Sequence, residues 1–488
     1  MSSHFKYLVL FIFFGLFSCT KDVGKVQFGD YPNEIGSIVK NKCAVSGCHN
    51  TASYKAAGNF NLESWSAMFG GSSSGSPLIP FNSKFSSLCY FVNTYPDLGT
   101  QNLPIMPLNG TPLSHDEVSI IKNWIDNGAP DNKGNIRWAD DPKRKKLYAV
   151  NQGCDVVTVL DSETQLPIRY IHVGNLASGN TPHHLKISPD GAYWYVVFIK
   201  SNIMQKFRCS DDTYIGDIPL TKVADGSSTD PLDDAQNWNT FVITKNGKIA
   251  YCVSWPDGKI AAVDLENRKL IHSLGGQGVP HGIVLNATED KIYLASQTGN
   301  FITQLDTSFT NPKEIILETG PKNAMSSLDP HDMILAPNQQ DILITCQTSN
   351  EIRVFNIPTN SVTLVLKAGE YPQEIVYSKG THEFFVTCTN DTKMFPNSNG
   401  VIMRIKDGGY GIDAVACGFQ PHGLAVDENK KLLYVLSRNI SANGPLPHHT
   451  SQCSGRNGFV SFIDLNTFKV LPKRYELSVD PYFIYSRP

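Results

Sequence analysis

A short pattern that recurs every 40–60 residues or so most limits what this chain can fold into. Each copy opens on a proline, enters an apolar strand and continues through a turn into a second strand, as at residues 182–187, 280–285 and 421–426. A third strand ends near an acidic residue, as at 302–306, and a fourth follows, as at 361–366. Four strands in each repeat of this length predict a β-propeller.

Seven copies of the opening are present, one of them without its proline, and they begin at Pro182, Trp238, Pro280, Pro330, Pro372, Pro421 and Pro481. The first blade starts incomplete at residues 146–150, and the last copy can supply its missing innermost strand. Closure of the ring by this C-terminal strand would leave no open sheet edge. The repeats resemble Tyr-Val-Thr-Asn-type propellers, so residues 145–488 are expected to form a seven-bladed β-propeller closed by the C-terminal strand.

Two cysteines and a histidine give the N-terminal part its chemistry. Residues 43–49, Cys-Ala-Val-Ser-Gly-Cys-His, resemble the attachment site of a c-type haem. That resemblance implies thioether bonds from Cys43 and Cys48 to the haem, and His49 as an iron ligand. Four residues separate the cysteines here instead of the usual two, a spacing found in some multihaem cytochromes. The alternative is a local disulfide between Cys43 and Cys48, with His49 on the surface.

A methionine supplies a candidate sixth ligand to the haem iron. Met106 lies between prolines in the sequence Leu-Pro-Ile-Met-Pro at 103–107, a stiff non-helical segment of the kind that presents a thioether in small cytochromes. Met68 is the rival ligand. Its neighbours Trp65 and Phe69 favour a place in the hydrophobic core instead.

A capped amphipathic helix follows Met106. Residues 114–117, Ser-His-Asp-Glu, form a capping-box pattern, and apolar residues then recur at helical spacing up to Gly128. Together with the haem motif, this run resembles the cytochrome c domains of planctomycete and Bacteroidetes envelope proteins. The resemblance implies a small all-α cytochrome c-like domain over 30–132. Residues 133–144 are polar and are expected to link it to the propeller.

The first nineteen residues resemble a bacterial lipoprotein signal. The apolar run 8–17 is too short to span a bilayer, and it ends in Leu-Phe-Ser-Cys at 16–19. The resemblance implies that Cys19 carries acyl chains and holds the protein on a membrane of the bacterial envelope, facing the periplasm or the cell surface. An ordinary secretory peptide is the alternative. No other segment is apolar enough to cross a membrane, so a lipid anchor is the only membrane attachment expected.

Charge and cysteine content narrow the partners and the compartment. The net charge is −3 and no basic tract is present, so nucleic acid is not expected as a partner. Eleven cysteines suit an oxidising compartment or cofactor attachment. Small buried residues are expected at Cys252, Cys346 and Cys388. Disulfide bonds, with no pairing assigned, are considered for Cys154, Cys209, Cys417 and Cys453.

The second residue of each innermost strand defines a candidate ring at the propeller axis. These residues are His183, Asn239, His281, His331, Gln373, His422 and Tyr482. All can form hydrogen bonds, and the four imidazoles suggest a second site for a metal ion or cofactor, although a seven-fold ring should spread them apart. A long insertion at 439–457, containing His448 and His449, is expected on the same face. The alternative is that the imidazoles only satisfy neighbouring backbone groups.

Three functions are consistent with these features. The first is an envelope lipoprotein that transfers electrons through a covalent haem c to a redox partner protein, with the propeller as docking or ligand-binding platform. The second is an oxidoreductase with another cofactor at the axis, by analogy with cytochrome-type nitrite reductases and the copper-binding propeller of nitrous oxide reductase. The third is a non-redox binding platform. The sequence does not decide whether the chain is an enzyme, or how it oligomerises.

Overall fold

The computed structural model describes residues 28–177, 179–221, 237–255, 257–396, 398–408 and 410–488. The proposed signal peptide and Cys19 lie outside the described residues. Within them, no helix is long and apolar enough to cross a membrane.

Helices occur only near the start of the described chain, before residue 127. The α-helices are α1 (Asn33–Lys42), α2 (Trp65–Met68), α3 (Ser87–Val92) and α4 (His115–Asp126), and the 3-10 turns are Ser83–Phe85 and Pro96–Leu98. Helix α4 begins at the predicted capping box, because the Ser114 hydroxyl accepts from the Glu117 backbone N–H and the Glu117 carboxylate accepts from the Ser114 backbone N–H.

Strands make up most of the remaining described chain. Those of its first half are β1 (Lys146–Asn151), β2 (Val156–Asp161), β3 (Pro167–His172), β4 (Pro182–Ile187), β5 (Tyr193–Phe198), β6 (Ile203–Arg208), β7 (Tyr214–Pro219), β8 (Trp238–Ile243), β9 (Ile249–Ser254), β10 (Lys259–Asp264), β11 (Lys269–Leu274), β12 (Pro280–Leu285), β13 (Lys291–Ser296), β14 (Phe301–Asp306) and β15 (Lys313–Ile316). Those of its second half are β16 (Pro330–Leu335), β17 (Asp341–Cys346), β18 (Glu351–Asn356), β19 (Ser361–Lys367), β20 (Pro372–Ser378), β21 (Glu383–Cys388), β22 (Val401–Lys406), β23 (Ile412–Ala416), β24 (Pro421–Asp427), β25 (Leu432–Ser437), β26 (Asn457–Asp464), β27 (Lys469–Val479) and β28 (Pro481–Ser486).

These strands form seven four-stranded antiparallel sheets, which are the blades of a propeller. Blades 2 to 7 each use four consecutive strands, starting at β4, β8, β12, β16, β20 and β24. Blade 1 has the order β28-β1-β2-β3, so the C-terminal strand is its innermost strand. The predicted seven-bladed ring and its closure by the C-terminus are confirmed.

Each pair of neighbouring blades buries its own hydrophobic cluster. Side chains alternate between the two faces of a strand, and both faces of an inner strand are covered. In β1, Tyr148 and Val150 pack toward blade 2, whereas Leu147 and Ala149 pack toward blade 7. This two-sided burial explains why the inner strands are apolar along almost their whole length.

The innermost strands share a local distortion at their first residues. A register shift occurs between the first residue and the third or fourth residue in blades 2 to 7. In six blades the residue before the strand has a positive φ: Thr181, Asn237, Asp329, Tyr371, Gln420 and Asp480. Such bulges re-aim side chains next to functional sites.

Two glycines let neighbouring innermost strands approach unusually closely. A Cβ on Gly282 would lie 2.7 Å from the His331 carbonyl oxygen of the next blade. A Cβ on Gly423 would lie 2.7 Å from the Tyr482 carbonyl oxygen and 2.9 Å from the Cα of Phe483. The backbone itself is the obstacle, so a larger residue at either position would push two blades apart.

The expected separate all-α cytochrome c-like domain is wrong. The four α-helices are short, irregular chain connects them, and the described protein is otherwise nearly all β. Their apolar residues do not form an isolated core. Ile35, Trp65 and Val118 belong to the same buried cluster as Tyr148 and Trp194 of blades 1 and 2. Short helices with narrow apolar faces bury too little surface for an independent core, so the N-terminal segment (residues 28–144) completes its core against the propeller.

Direct contacts hold the N-terminal segment on blades 1 and 7. Phe85 stacks on Tyr170 of β3, with ring centroids 4.6 Å apart. The Asn102 side chain donates to the His448 carbonyl oxygen in the insertion of blade 7. A disulfide between Cys154 and Cys453 ties that insertion to blade 1. The other disulfide candidates, Cys209 and Cys417, are unpaired and buried, as are the three cysteines expected in the core.

We predict that Gly423→Ala destabilises the protein by roughly 1–3 kcal/mol, as expected for overpacking. The added methyl group would collide with the backbone of β28 at the closure of the ring. Thermal unfolding monitored by circular dichroism measures the change. Gly411→Ala is the matched control, because its nearest neighbour would be the Lys406 side chain at 3.9 Å. Equal melting temperatures for the two variants would contradict the close approach of β24 and β28.

Candidate functional site

Five aromatic side chains converge at the propeller axis. They are the second residues of their innermost strands, and the contacts run from His183 to His281 (5.9 Å between centroids), His281 to His331 (3.9 Å), His331 to His422 (6.1 Å), His422 to Tyr482 (3.7 Å) and Tyr482 to His183 (4.4 Å). We call these five residues the axial ring. Its members are all buried and lie closer together than a seven-fold ring suggested.

The two remaining members of the predicted ring are held by other partners. The Asn239 side chain donates to the Pro280 carbonyl oxygen at 3.3 Å, and the Gln373 side chain donates to Gln347. His183 of blade 2 therefore contacts His281 of blade 4, past blade 3. His331 of blade 5 contacts His422 of blade 7, past blade 6. Five of the seven predicted positions therefore carry rings that contact one another around the axis.

Two of the four histidines donate a hydrogen bond to the next blade. His281 Nδ1 lies 3.1 Å from the His331 carbonyl oxygen, and His422 Nδ1 lies 3.0 Å from the Tyr482 carbonyl oxygen. A carbonyl oxygen only accepts, so Nδ1 carries the proton and Nε2 keeps its lone pair. These are the histidines of the two Pro-His-Gly sequences, where glycine permits the close approach. For these two, satisfaction of a neighbouring backbone group is confirmed.

The axial histidines are neutral at physiological pH and retain unused nitrogens. Burial lowers the pKa of His183, His331 and His422 well below the usual value, and lowers the pKa of His281 to about 4. The Nε2 atoms of His183, His331 and His422 have no hydrogen-bond partner among the described residues. Buried nitrogens without partners are costly, so these three atoms are candidate ligand donors.

Two carboxyl groups lie beside the axial ring, and sequence reasoning missed both. Asp332 and Glu374 are the third residues of β16 and β20, and Glu374 is 6% exposed. Burial and the neighbouring Asp332 raise the pKa of Glu374 well above its usual value. Glu374 Oε1 lies 3.7 Å from His422 Nδ1. The sequence did contain a signal for them: among the innermost strands, only these two have an acidic residue at the third position.

Ligand atoms of His331, Glu374 and His422 all lie within 4.8 Å of one another. Of the four histidines proposed as a second site, the structure therefore brings two together with a carboxylate. His183 and His281 contact the same ring but are not part of this group.

The residues that follow the second strand of each blade form a further layer of side chains around the axial ring. In all seven blades this residue donates its backbone N–H to the carbonyl oxygen of the residue before the innermost strand. The Gln152 side chain contacts His183 Nδ1 at 2.6 Å. Arg438 lies over the Tyr482 ring at 4.7 Å and pairs with both carboxylate oxygens of Asp480. Gln152 and Arg438 follow the second strand of a blade and not the innermost strand, so the repeat of the innermost strands did not predict their contacts with the axial ring.

The insertion of blade 7 carries its histidines toward the N-terminal segment. His448 and His449 each have a ring contact with Phe91 at 5.9 Å, and their backbone N–H groups donate to the Glu476 carboxylate. These two histidines thus help to hold the N-terminal segment on the propeller.

The proposed haem-attachment residues lie in a tight turn after α1. The Cys48 N–H donates to the Val45 carbonyl oxygen and the His49 N–H to the Cys43 carbonyl oxygen, at 3.1 and 3.2 Å. Cys43 and Cys48 are unpaired and half-buried, so the structure does not contain the alternative local disulfide. His49 Nδ1 lies 2.9 Å from the Phe60 carbonyl oxygen, which leaves Nε2 as the free nitrogen.

The two candidate methionines have different surroundings. Met68 is 1% exposed in the buried cluster, as the core interpretation expected. Met106 is half-buried at the edge of that cluster, and its N–H donates to the Phe91 carbonyl oxygen at 2.7 Å. Leu103 and Leu108 on either side are 79% and 57% exposed. Apolar groups left open beside a methionine suit contact with a large apolar ligand.

Another buried histidine, His184, lies outside the axial ring. It packs 3.9 Å from the Phe483 ring and 5.3 Å from the Phe241 ring, between centroids. Its Nδ1 has no hydrogen-bond partner in the described part of the chain. Burial, with further contributions from Lys186, His183 and His281, lowers its pKa well below the usual value.

We predict that His184 makes the protein acid-sensitive. A lowered folded-state pKa means that its contribution is intact above about pH 6.5 and is lost as the pH falls toward the folded-state pKa, by up to about 1.4 kcal/mol per pH unit. His184→Leu should therefore lose less stability than the parent between pH 6.5 and 4.5 or so. Urea unfolding in chelator-containing buffer gives the slope, and exposed His172→Leu is the control. Parallel slopes for parent and His184→Leu would contradict this assignment.

No protein-family model and no curated protein sequence matches the chain. Among solved structures, it is similar to hydrazine synthase of Kuenenia stuttgartiensis, with 14% identity over 65% of this chain and 92% of that chain, and a TM-score of 0.49. Virginiamycin B lyase of Staphylococcus aureus has 13% identity, 61% and 92% coverage, and a TM-score of 0.46. A functionally unknown protein of Desulfotomaculum acetoxidans has 12% identity, 69% and 99% coverage, and a TM-score of 0.47. With TM-scores below 0.5, we take no ligand or activity from them.

Proposed function

We propose that this protein is an envelope electron-transfer protein that carries one covalent haem c in its N-terminal segment, with the propeller as a binding platform. The observation that carries the proposal is the contact between His49 Nδ1 and the Phe60 carbonyl oxygen, directly after Cys43 and Cys48. Metal-binding histidines commonly donate one ring N–H to a carbonyl oxygen, which orients the other nitrogen toward the metal.

The surrounding residues fit a haem in three further respects. The two thiols are unpaired and half-buried, so they are available for thioether bonds. The turn from Cys43 to His49 is closed by backbone hydrogen bonds, which fixes the imidazole beside the attachment cysteines. Exposed Leu103 and Leu108 beside Met106 offer an apolar edge that a porphyrin would cover.

Each residue then has a separate task. Cys43 and Cys48 would attach the haem, His49 would bind the iron through Nε2, and Met106 would offer its thioether as a second protein ligand. When bound, a haem c carries single electrons, at a potential set by its axial ligands and its exposure to solvent. Phe60 and the buried cluster behind it would restrict water around the imidazole.

The propeller supports the role of platform by its rigidity. Seven separate inter-blade cores and a closed ring give a framework of packed strands, and loops on such a framework are common binding surfaces. The N-terminal segment shares one of those cores, so a haem there would keep a constant position relative to any partner docked on the propeller. A redox partner protein is the expected occupant.

A large planar cofactor at the propeller axis, as in the nitrite reductase analogy, is less well supported. The five rings of the axial ring contact one another at 3.7 to 6.1 Å between centroids, so a large planar cofactor at this level would have to separate them.

An envelope location is consistent with the cysteine chemistry. The Cys154–Cys453 disulfide needs an oxidising compartment, and attachment of haem c also takes place outside the bacterial cytoplasm. The lipoprotein-like sequence ending at Cys19 would bring the chain there and anchor it.

We predict that the full chain, expressed with a haem-attachment system, retains its haem after acid–acetone extraction and gains the mass of one haem. Cys43→Ser combined with Cys48→Ser should abolish covalent haem, because both thioether bonds are lost. Cys89→Ala is the control, since Cys89 is an unpaired cysteine of the same segment but lies buried in its core.

Two methionine variants refine this test. Met106→Ala should leave attachment intact and remove the methionine–iron absorption, whereas Met68→Ala should keep it. The reverse result would assign the ligand to Met68. Colourless protein from cells that attach haem to a known cytochrome would end the haem proposal and leave a non-redox binding platform.

We predict that Cys19→Ser, if exported, releases the protein into the soluble envelope fraction, because the acyl chains would be its only membrane anchor. Fractionation followed by immunoblotting measures the distribution. Cys89→Ala again serves as control and should stay with the membrane. Membrane association of Cys19→Ser after a high-salt wash would contradict a single lipid anchor.

A further inference from the structure

We propose that His331, Glu374 and His422 bind one divalent first-row transition-metal ion at the propeller axis. The three side chains come from the innermost strands of blades 5, 6 and 7, and all are buried. Two imidazoles and one carboxylate are a donor set that zinc, iron and copper accept in proteins. This site is separate from the proposed haem, which uses residues of the N-terminal segment only.

The spacing of the donor atoms is close to that of a bound ion. Nitrogen and oxygen ligands lie about 2.0–2.2 Å from zinc, so neighbouring tetrahedral ligands are about 3.3–3.5 Å apart. Here one ring nitrogen of each histidine and one Glu374 oxygen lie within 4.8 Å of one another, and the separation between Glu374 Oε1 and His422 Nδ1 is 3.7 Å. Side-chain rotations that shorten these separations by about 1 Å would complete the coordination.

In His422 and His331, the partner of Nδ1 determines the orientation of the ring and leaves Nε2 as the candidate metal ligand. His422 Nδ1 donates to the Tyr482 carbonyl oxygen, which leaves Nε2 as the lone-pair donor. His331 Nδ1 faces the Gln297 amide at 3.5 Å, and an amide turned over would accept that N–H through its oxygen. The Nε2 atoms of both histidines have no partner within the described chain, so they are free to coordinate.

The carboxyl groups provide the charge that an ion requires. Glu374 lies beside the His422 imidazole, with Oε1 3.7 Å from Nδ1, and half-buried Asp332 is its neighbour on the next blade. Ionised carboxylates at these positions would balance the charge of a divalent cation. Asp332 Oδ2 also accepts from the Ile375 N–H at 3.1 Å, so it is positioned to hold Glu374 or to act as a fourth ligand. Two cationic side chains, Lys186 and Arg438, act on this cluster, so the carboxylates have to offset their charge as well as that of the ion.

The strands around the site favour a preformed geometry. Gly423 brings β24 against β28 and so sets the position of His422, and Gly282 brings β12 against β16 and sets that of His331. Ligands on packed strands keep their separation better than ligands on loops. A larger ligand would have to separate the contacting rings, whereas a single ion needs only these three donor groups.

Metal binding to the full-length protein tests the proposal. The purified protein is stripped with chelator, dialysed against Zn²⁺ and then against metal-free buffer, and its zinc is measured by mass spectrometry. Because Cys43 and Cys48 could also bind zinc when haem is absent, the measurement is made in the Cys43→Ser/Cys48→Ser background as well. That background separates this proposal from the haem proposal, since either can fail alone.

One equivalent of zinc and a zinc-dependent rise in melting temperature are expected for the Cys43→Ser/Cys48→Ser protein, and at least one equivalent for the protein that keeps both cysteines. Glu374→Gln and His331→Gln should each retain less than about a tenth of the zinc and lose the rise in melting temperature. His183→Gln is the matched control, because His183 belongs to the axial ring but not to the donor group, and it should retain the zinc. The glutamine variants keep hydrogen-bonding side chains, and circular dichroism of each verifies its fold.

Three results would overturn the proposal. The first is less than about a tenth of an equivalent of zinc in the folded parent without any thermal shift. The second is equal zinc in the parent, Glu374→Gln and His331→Gln, which would place the ion elsewhere. Loss of zinc in His183→Gln together with the other variants would show that the whole ring is needed for the fold and would remove the assignment to these three residues.

Discussion

The pairing of the C-terminal strand β28 with β1 is the interaction on which the rest of the structure depends. It completes blade 1, and it also contributes residues to the cores on both sides, Tyr482 and Phe483 toward blade 2 and Ile484 toward blade 7. Without it, two inter-blade cores would be open and β1 would be an exposed edge. The axial ring depends on the same strand, because Tyr482 supplies one ring and accepts the hydrogen bond from His422.

The histidines at the axis combine architecture with available chemistry. His281 and His422 tie neighbouring blades together through Nδ1, and the same bond leaves Nε2 with a free lone pair. Protonation would place a charge among buried side chains, so burial keeps these imidazoles neutral. A cluster of neutral imidazoles beside the Glu374 carboxyl group is therefore suited to receive a cation.

The N-terminal segment depends on the propeller for its core. Its short helices share a buried cluster with blades 1 and 2, and Phe85, Phe91 and Asn102 reach blade 1 or the insertion of blade 7. The Cys154–Cys453 disulfide holds that insertion in place. A haem bound to Cys43 and Cys48 would thus be fixed relative to the propeller, as a docked redox partner requires.

The sequence by itself determined the elements whose signals are local and repeated. The proline at the start of most innermost strands, the two-sided apolar strands and the Ser114–Glu117 capping box predicted seven blades, their closure and helix α4, because each signal acts through neighbours in the chain. The tertiary structure alone decided what depends on distance across the axis. Five rings contact one another at the axis, whereas Asn239 and Gln373 form hydrogen bonds with other partners. Glu374 lies beside His422. The tertiary structure also merged the N-terminal helices into the propeller core. Such contacts depend on packing between segments far apart in the chain, and no periodicity records them.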